Sequence, residues 1–225
     1  MGTIVFDSST IISISDKCLI NLLRQLAKND KAEFLIPESV YRESVAKPMK
    51  VRRFELNAIR IKAGVEDGWL KIVRRTKEIR QLTNNISQAA NTVFFVDKKP
   101  VRLIQEGETE ALAIRKLLGA ELVAIDERNT RMLIEDPHRL QKYLEFKYGE
   151  EVKISDASLE QFHSLTGRPG IVRSVELIAL AYERGYFEVD LEKSRNALEA
   201  ALYAAKYAGC AVSGSEIDDF LGRKK

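Results

Sequence analysis

Four acidic residues lie where apolar stretches of the chain give way to polar residues: Asp7, Glu43, Glu110 and Asp126. Asp7 follows the apolar run 3–6, and Asp126 follows the apolar run 121–125. Open parallel sheets bind their ligands just beyond the carboxyl ends of their strands. We therefore expect these carboxylates to meet at one edge of a sheet.

The helix expected to begin at Gly107 carries two acids, Glu108 and Glu110. Residues two apart in an α-helix point about 200° apart, so only one of the two is expected to face the sheet. Glu110 shares its face with the apolar positions 113, 114 and 117, whereas Glu108 lies on the side of Arg115. A carboxylate on a buried face must be paired or bind a metal. This favours Glu110 as the inward acid and assigns Glu108 to the helix N-terminus, where negative charge is favourable.

Carboxylates that cluster without His or Cys are typical of Mg²⁺ or Mn²⁺ sites. Such ions activate a water and stabilise a leaving oxygen in displacement at phosphorus. The two cysteines, Cys18 and Cys210, form no close pair, and we interpret both as small buried residues. The two histidines, His138 and His163, have polar neighbours and are interpreted as surface residues.

The chain of 225 residues is 45% hydrophobic, enough for a sizeable core. No apolar run approaches the ~20 residues of a membrane helix, and no signal pattern opens the sequence. We therefore expect a soluble, cytoplasmic protein without a membrane partner.

Basic residues are concentrated in one segment. Residues 47–80 hold eleven Lys or Arg against four acids, although the whole chain carries a net charge of only +3. This pattern indicates a polyanionic partner, with a solvated helix face as the alternative. Five candidate phosphate-binding residues lie in this segment: Lys50, Arg52, Arg53, Arg74 and Arg75. Phe54 and Trp69 are interpreted as core residues, with base stacking as the alternative.

Apolar patterning predicts alternating strands and helices. Strands are expected at 3–6, 33–36, 69–73, 92–96, 121–125 and 152–154, and helices at 16–28, 50–65, 76–90, 107–118, 127–135, 138–148, 172–184, 191–208 and 215–221. The helix at 76–90 is expected to be interrupted near Asn84. Residues 74–100 are interpreted as an insertion, and how its elements pack is not assigned. This alternation predicts a parallel sheet covered on both faces.

The sequence resembles the PIN-domain nucleases, most closely the prokaryotic branch with a G-E-x-E-A helix. The resemblance rests on the segments 5–9, 36–43, 107–113 and 124–128, together with Arg131. It covers about 1–46 and 104–155, and more weakly the C-terminal helices. The third acid is Glu where many relatives have Asp, and the region 47–100 is longer than in compact members.

The resemblance implies a three-layer α/β/α sandwich with a central parallel sheet, followed by a C-terminal helical extension. It implies a PIN-like nuclease domain at 1–155 with the inserted basic segment at 47–100, and a helical region at 156–225. It also implies ribonuclease activity with Mg²⁺ or Mn²⁺ at Asp7, Glu43, Glu110 and Asp126. Ser9 and Arg131 are the supporting residues.

Three functions remain open at this point. The first is a metal-dependent endoribonuclease acting on single-stranded RNA, either as a toxin with an antitoxin partner or as an RNA-processing factor. The second is a non-catalytic module that binds nucleic acid or protein. The third is a haloacid-dehalogenase-type phosphatase, which is disfavoured because Ser9 stands where that chemistry needs a second Asp. The C-terminal helices either pack on the sheet or form a homodimer contact.

Overall fold

Five parallel strands form the centre of the computed structural model, which describes residues 2–189 and 191–223. The strands are β1 (Thr3–Phe6), β2 (Glu33–Pro37), β3 (Leu70–Val73), β6 (Leu122–Ala124) and β8 (Gly170–Val172), in the order β3-β2-β1-β6-β8. Three short strands form a second, antiparallel sheet: β4 (Phe94–Val96), β5 (Lys99–Pro100) and β7 (Lys153–Ile154).

Helices cover both faces of the central sheet. They are α1 (Ser8–Asp16), α2 (Ile20–Asn29), α3 (Glu38–Tyr41), α4 (Arg52–Glu66), α5 (Lys77–Ala90), α6 (Glu106–Leu118), α7 (Arg128–Glu135), α8 (Pro137–Tyr148), α9 (Asp156–Thr166), α10 (Ser174–Glu183), α11 (Arg195–Tyr207) and α12 (Gly214–Phe220). This is the expected three-layer α/β/α sandwich with C-terminal helices.

The layers follow from the alternation of side chains along each strand. Ile4 and Phe6 lie in one hydrophobic core, which also holds apolar residues of α1, α2, α10 and α11. Val5 lies between them in sequence and belongs to the second core, with apolar residues of α5, α6, α8 and α9. Because both faces are covered, the strands are mostly apolar, as is typical of parallel sheets, and the charged exceptions Glu33 and Lys71 are exposed and pair with each other.

Several elements differ from the sequence-based expectation. Two helices, α1 and α2, replace the single helix at 16–28, and α1 starts directly after Asp7. Helix α5 continues through Asn84 without interruption and packs into the second core through residues such as Ile86. Strand β7 joins the small antiparallel sheet instead of the central one.

The C-terminal part of the chain completes the central sheet. Residues 170–172, just where a helix was expected to begin, form β8 and pair with β6. Leu177 and Ile178 of α10 are buried in the same core as Ile4, which confirms them as core positions. Within the described ranges, no helix is long and apolar enough to cross a membrane.

Candidate active site

Asp7 is the first residue after β1, and its side chain caps α1. Its carboxylate Oδ2 accepts hydrogen bonds from the Ser9 backbone N–H at 3.0 Å and the Ser9 hydroxyl at 2.7 Å. Burial raises the pKa of Asp7, and the Ser9 hydrogen bonds oppose that rise in part. The Ser9 hydroxyl oxygen also accepts the backbone N–H of Asp126 at 3.2 Å. Ser9 thus joins the ends of β1 and β6 and fixes the orientation of the Asp7 side chain.

The Glu43 side chain approaches Asp7 from a distorted helical turn. Residues 42–46 form a π-helical turn directly after α3, a geometry often found at functional sites. A Cβ atom on Gly107 would lie 3.2 Å from Asp7 Oδ1 and 3.3 Å from Glu43 Oε2. The two carboxylates therefore meet beside the first turn of α6, and the missing side chain of Gly107 leaves room for them. Burial raises the pKa of Glu43, and the nearby charge of Asp7 raises it further.

Glu108 also lies close enough to Asp7 for the two carboxylates to influence each other. Its Oε2 accepts the Gln105 backbone N–H at 2.7 Å, and its Oε1 accepts the Thr130 hydroxyl at 2.8 Å. The side chain is buried. Burial, followed by the charge of Asp7, raises the pKa of Glu108 from 4.5 to about 8. Glu108 therefore caps α6, as expected, but it points inward and not toward solvent.

Glu110 is fully buried beside a different partner. Arg75 Nε lies 3.6 Å from Glu110 Oε1, and the Arg75 guanidinium also contacts Glu106. Among the described residues, neither Glu110 oxygen has a hydrogen-bond partner. The expectation that only one acid of α6 faces inward fails because residues 107–114 of this helix are buried on every side.

Asp126 follows β6 but turns toward the C-terminal helices. Its Oδ1 accepts the Ser174 backbone N–H at 2.7 Å. Burial, followed by the charge of Asp126, raises the pKa of the Cys210 thiol. The register places Phe6 opposite Ala124, so Asp126 lies one residue further along its strand than Asp7. Alternation therefore directs the two side chains to opposite faces of the sheet. Within the described part of the chain, Asp126 Oδ2 has no hydrogen-bond partner, and burial raises the pKa of Asp126.

Glu127 is a member of the site that the sequence-based reasoning missed. Its Oε2 accepts the Thr130 backbone N–H at 2.8 Å and caps α7. Burial raises the pKa of Glu127, and the charge of Asp7 adds to this effect. The feature of the sequence that could have identified Glu127 is its position directly after Asp126, at the start of a helix.

The acids that influence one another electrostatically are thus Asp7, Glu43, Glu108 and Glu127. Glu110 and Asp126 are buried nearby but have partners of their own. Over residues 2–189 and 191–223, no three potential ligands already stand in metal-binding geometry. These carboxylates still fit a hard cation such as Mg²⁺ or Mn²⁺, which prefers oxygen ligands. They are close to one another and burial disfavours their negative charge, which a bound cation would neutralise. Gly107 leaves open space at the point where two of them meet.

The expected supporting and basic residues are distributed over several surfaces. Arg131 donates to the Ala211 carbonyl at 3.3 Å and lies 3.6 Å from Glu135. Arg75 is engaged by Glu106 and Glu110. The remaining candidates for phosphate binding are exposed: Lys50, Arg52, Arg53 and Arg74.

Two other interpretations need correction. Phe54 is 48% exposed and not a core residue, because it lies on the outer face of α4, where Arg53 stacks over its ring. Cys18 is exposed in the turn between α1 and α2. Trp69 is buried with its ring edge-on to Phe34, and Cys210 is buried, as expected for both.

The chain matches the model of a known protein family. The DUF3368 family model, described as a PIN domain, matches residues 3–136. This range holds every acid of the site described above. No curated protein and no solved structure matches the chain.

Proposed function

Because this chain belongs to the PIN-domain family, whose members are generally nucleases, we propose that it is a metal-dependent endoribonuclease. The observation that carries this proposal is the meeting of Asp7 and Glu43 beside Gly107, with Glu108 close enough to feel the charge of Asp7. Like charges gathered in a buried place are unfavourable unless a proton or a cation neutralises them.

We assign the metal ligands to Asp7, Glu43 and Glu108, with Glu127 at the rim. When bound, Mg²⁺ or Mn²⁺ supplies an activated water and neutralises charge on the phosphate. Ser9 keeps Asp7 oriented toward Glu43 through its two hydrogen bonds. Thr130 holds Glu108 in place, and Glu108 must lose its proton before it can act as a ligand.

The two other acids from the sequence-based set have different proposed roles. Glu110 stays paired with Arg75 and keeps that guanidinium beside the N-terminal turn of α6. Asp126 orders the junction between β6 and α10 through Ser174, on the opposite face of the sheet from Asp7.

The test is cleavage of a labelled single-stranded RNA in Mg²⁺, in Mn²⁺ and in EDTA. We expect cleavage with either metal and none in EDTA, and a loss of at least about 100-fold in Asp7→Asn. Glu43→Gln is the second variant, because its half-buried side chain is tolerated more easily by the fold. Asp67→Asn is the matched control, since Asp67 is exposed, pairs with Arg24 and precedes β3, at the end of the sheet away from the acids.

The proposal is wrong if Asp7→Asn and Glu43→Gln remain folded and cleave at the rate of the unsubstituted chain. RNA binding that persists in EDTA without any cleavage in metal would indicate the non-catalytic module instead.

A further inference from the structure

A groove leads away from the acids along α7 and α8. Its inner part is a cavity of about 470 Å³ lined by Glu108, Glu127 and Asn129. Glu127 and Asn129 also line the next cavity, of about 550 Å³, which Arg128 and Tyr143 line further out. Arg128 and Tyr143 in turn border a third cavity of about 530 Å³. Neighbouring cavities share lining residues, so the three lie side by side in a row that starts at Glu108.

The outer groove is rich in cations that have no acidic partner. Five of its basic residues form no ion pair with any described residue: Arg128, Arg139, Lys142, Lys147 and Lys206. Its acids, in contrast, are engaged. Glu135 lies near Arg131, and Glu216 near Arg173. The carboxylate of Asp136 accepts the Arg139 backbone N–H. The groove is therefore positive along its outer length.

Aromatic rings lie among these cations. The Arg128 guanidinium stands 5.1 Å from the centre of the Tyr143 ring, which holds it over the groove. Phe146 lines the same groove and is 89% exposed. A basic groove with an exposed aromatic ring is the arrangement that binds single-stranded nucleic acid, with cations on phosphates and a ring stacked on a base.

We propose that the groove of α7 and α8 is the path of the single-stranded RNA. This inference rests on the proposed function, because the inner end of the groove opens at Glu108. Lys142 and Lys147 contact phosphates, and Phe146 stacks on a base. Single-stranded RNA is a polyanion with flat bases. It therefore matches both the positive charge of the groove and the exposed Phe146 ring. The assignment moves the main RNA contact away from the basic segment 47–80, where Arg75 is already neutralised by two glutamates.

The test is binding of a fluorescent single-stranded RNA, measured by anisotropy in EDTA over a range of salt concentrations. The groove variant is Lys142→Gln with Lys147→Gln, and both side chains are exposed. The matched control is Arg52→Gln with Arg53→Gln on α4, which are also exposed. We expect the groove variant to bind at least about tenfold more weakly and its salt slope to fall by about 1.4, since each single-strand phosphate contact contributes about 0.7. The control is expected to bind as the unsubstituted chain does.

Phe146→Ala separates stacking from charge. We expect about tenfold weaker binding with an unchanged salt slope, because stacking on a base involves no counterion. The assignment is overturned if the control weakens while both groove variants bind normally. It is also overturned if poly-glutamate binds the groove and RNA does not.

The same variants keep the two proposals apart. If Asp7→Asn cleaves normally while the groove variants lose RNA binding, the proposed catalytic site fails and the groove stands. If Asp7→Asn abolishes cleavage while the groove variants bind and cleave normally, the groove fails and the catalytic site stands.

Discussion

The protonation of Glu108 couples the stability of the fold to pH. In the folded chain its pKa is raised from 4.5 to about 8, mainly by burial and then by the charge of Asp7. Between those pH values the folded state holds a proton that the unfolded state has released. The stabilising contribution is therefore complete below pH 4.5 and is lost as pH rises through 8.

The size of this effect follows from linkage. One proton difference changes the free energy of unfolding by about 1.4 kcal/mol per pH unit. Between pH 5.5 and 7.5 Glu108 thus contributes a decrease of at most about 3 kcal/mol. In Glu108→Gln the titrating group is absent, so the decrease with pH should be smaller by up to this amount.

The assay is urea denaturation in EDTA at half-unit steps across that pH range. Glu199→Gln is the control, because its exposed carboxyl pairs with Arg223, which lowers the pKa of Glu199. Its curve should run parallel to that of the unsubstituted chain. Identical slopes for Glu108→Gln and the unsubstituted chain would show that Glu108 does not carry the extra proton in the folded state.

Two further substitutions test the surroundings of the acids. Gly107→Ala should keep the stability of the fold, since Ala favours a helix by up to about 1 kcal/mol, but it should weaken Mn²⁺ binding several-fold by crowding Asp7. Calorimetric titration checks this, and an unchanged affinity would contradict it. Arg75→Gln should lower the free energy of unfolding by about 3 kcal/mol, because it leaves Glu110 buried without its cation. Adding Glu110→Gln should restore part of that loss in urea denaturation, whereas strictly additive effects would show that the pair does not interact.

The positions of four strands of the central sheet could be predicted because their apolar runs are unambiguous: β1, β2, β3 and β6. β1 and β2 appear nearly where the pattern placed them, and α6 ends at Gly119, which has the left-handed φ of 65° that favours glycine. Helix α1 was missed because its apolar residues begin among hydroxyl side chains that are also typical of turns. β8 was missed because glycine and proline residues at 167–170 indicate a loop as readily as a strand end.

Local sequence patterns did not predict the directions in which the acidic side chains point. The assignment of Glu110 assumed a helix with one buried face, whereas the N-terminal half of α6 is enclosed on all sides. The pairing of Asp7 with Asp126 ignored the one-residue offset between β1 and β6 that turns the two side chains apart. The partnership of Glu110 with Arg75 joins positions 35 residues apart in sequence, and no local pattern indicates it.

The two acids of α6, Glu108 and Glu110, provide the sharpest test of the proposed metal site. Glu108→Gln and Glu110→Gln replace the same carboxyl group with an amide at buried positions two residues apart on one helix. Mn²⁺ binding is measured by calorimetry, and RNA cleavage is measured alongside it. Glu108→Gln should lose both activities, whereas folded Glu110→Gln should retain both. The reverse pattern, with Glu110→Gln inactive and Glu108→Gln binding Mn²⁺ normally, would contradict the assignment of Glu108 to the metal site.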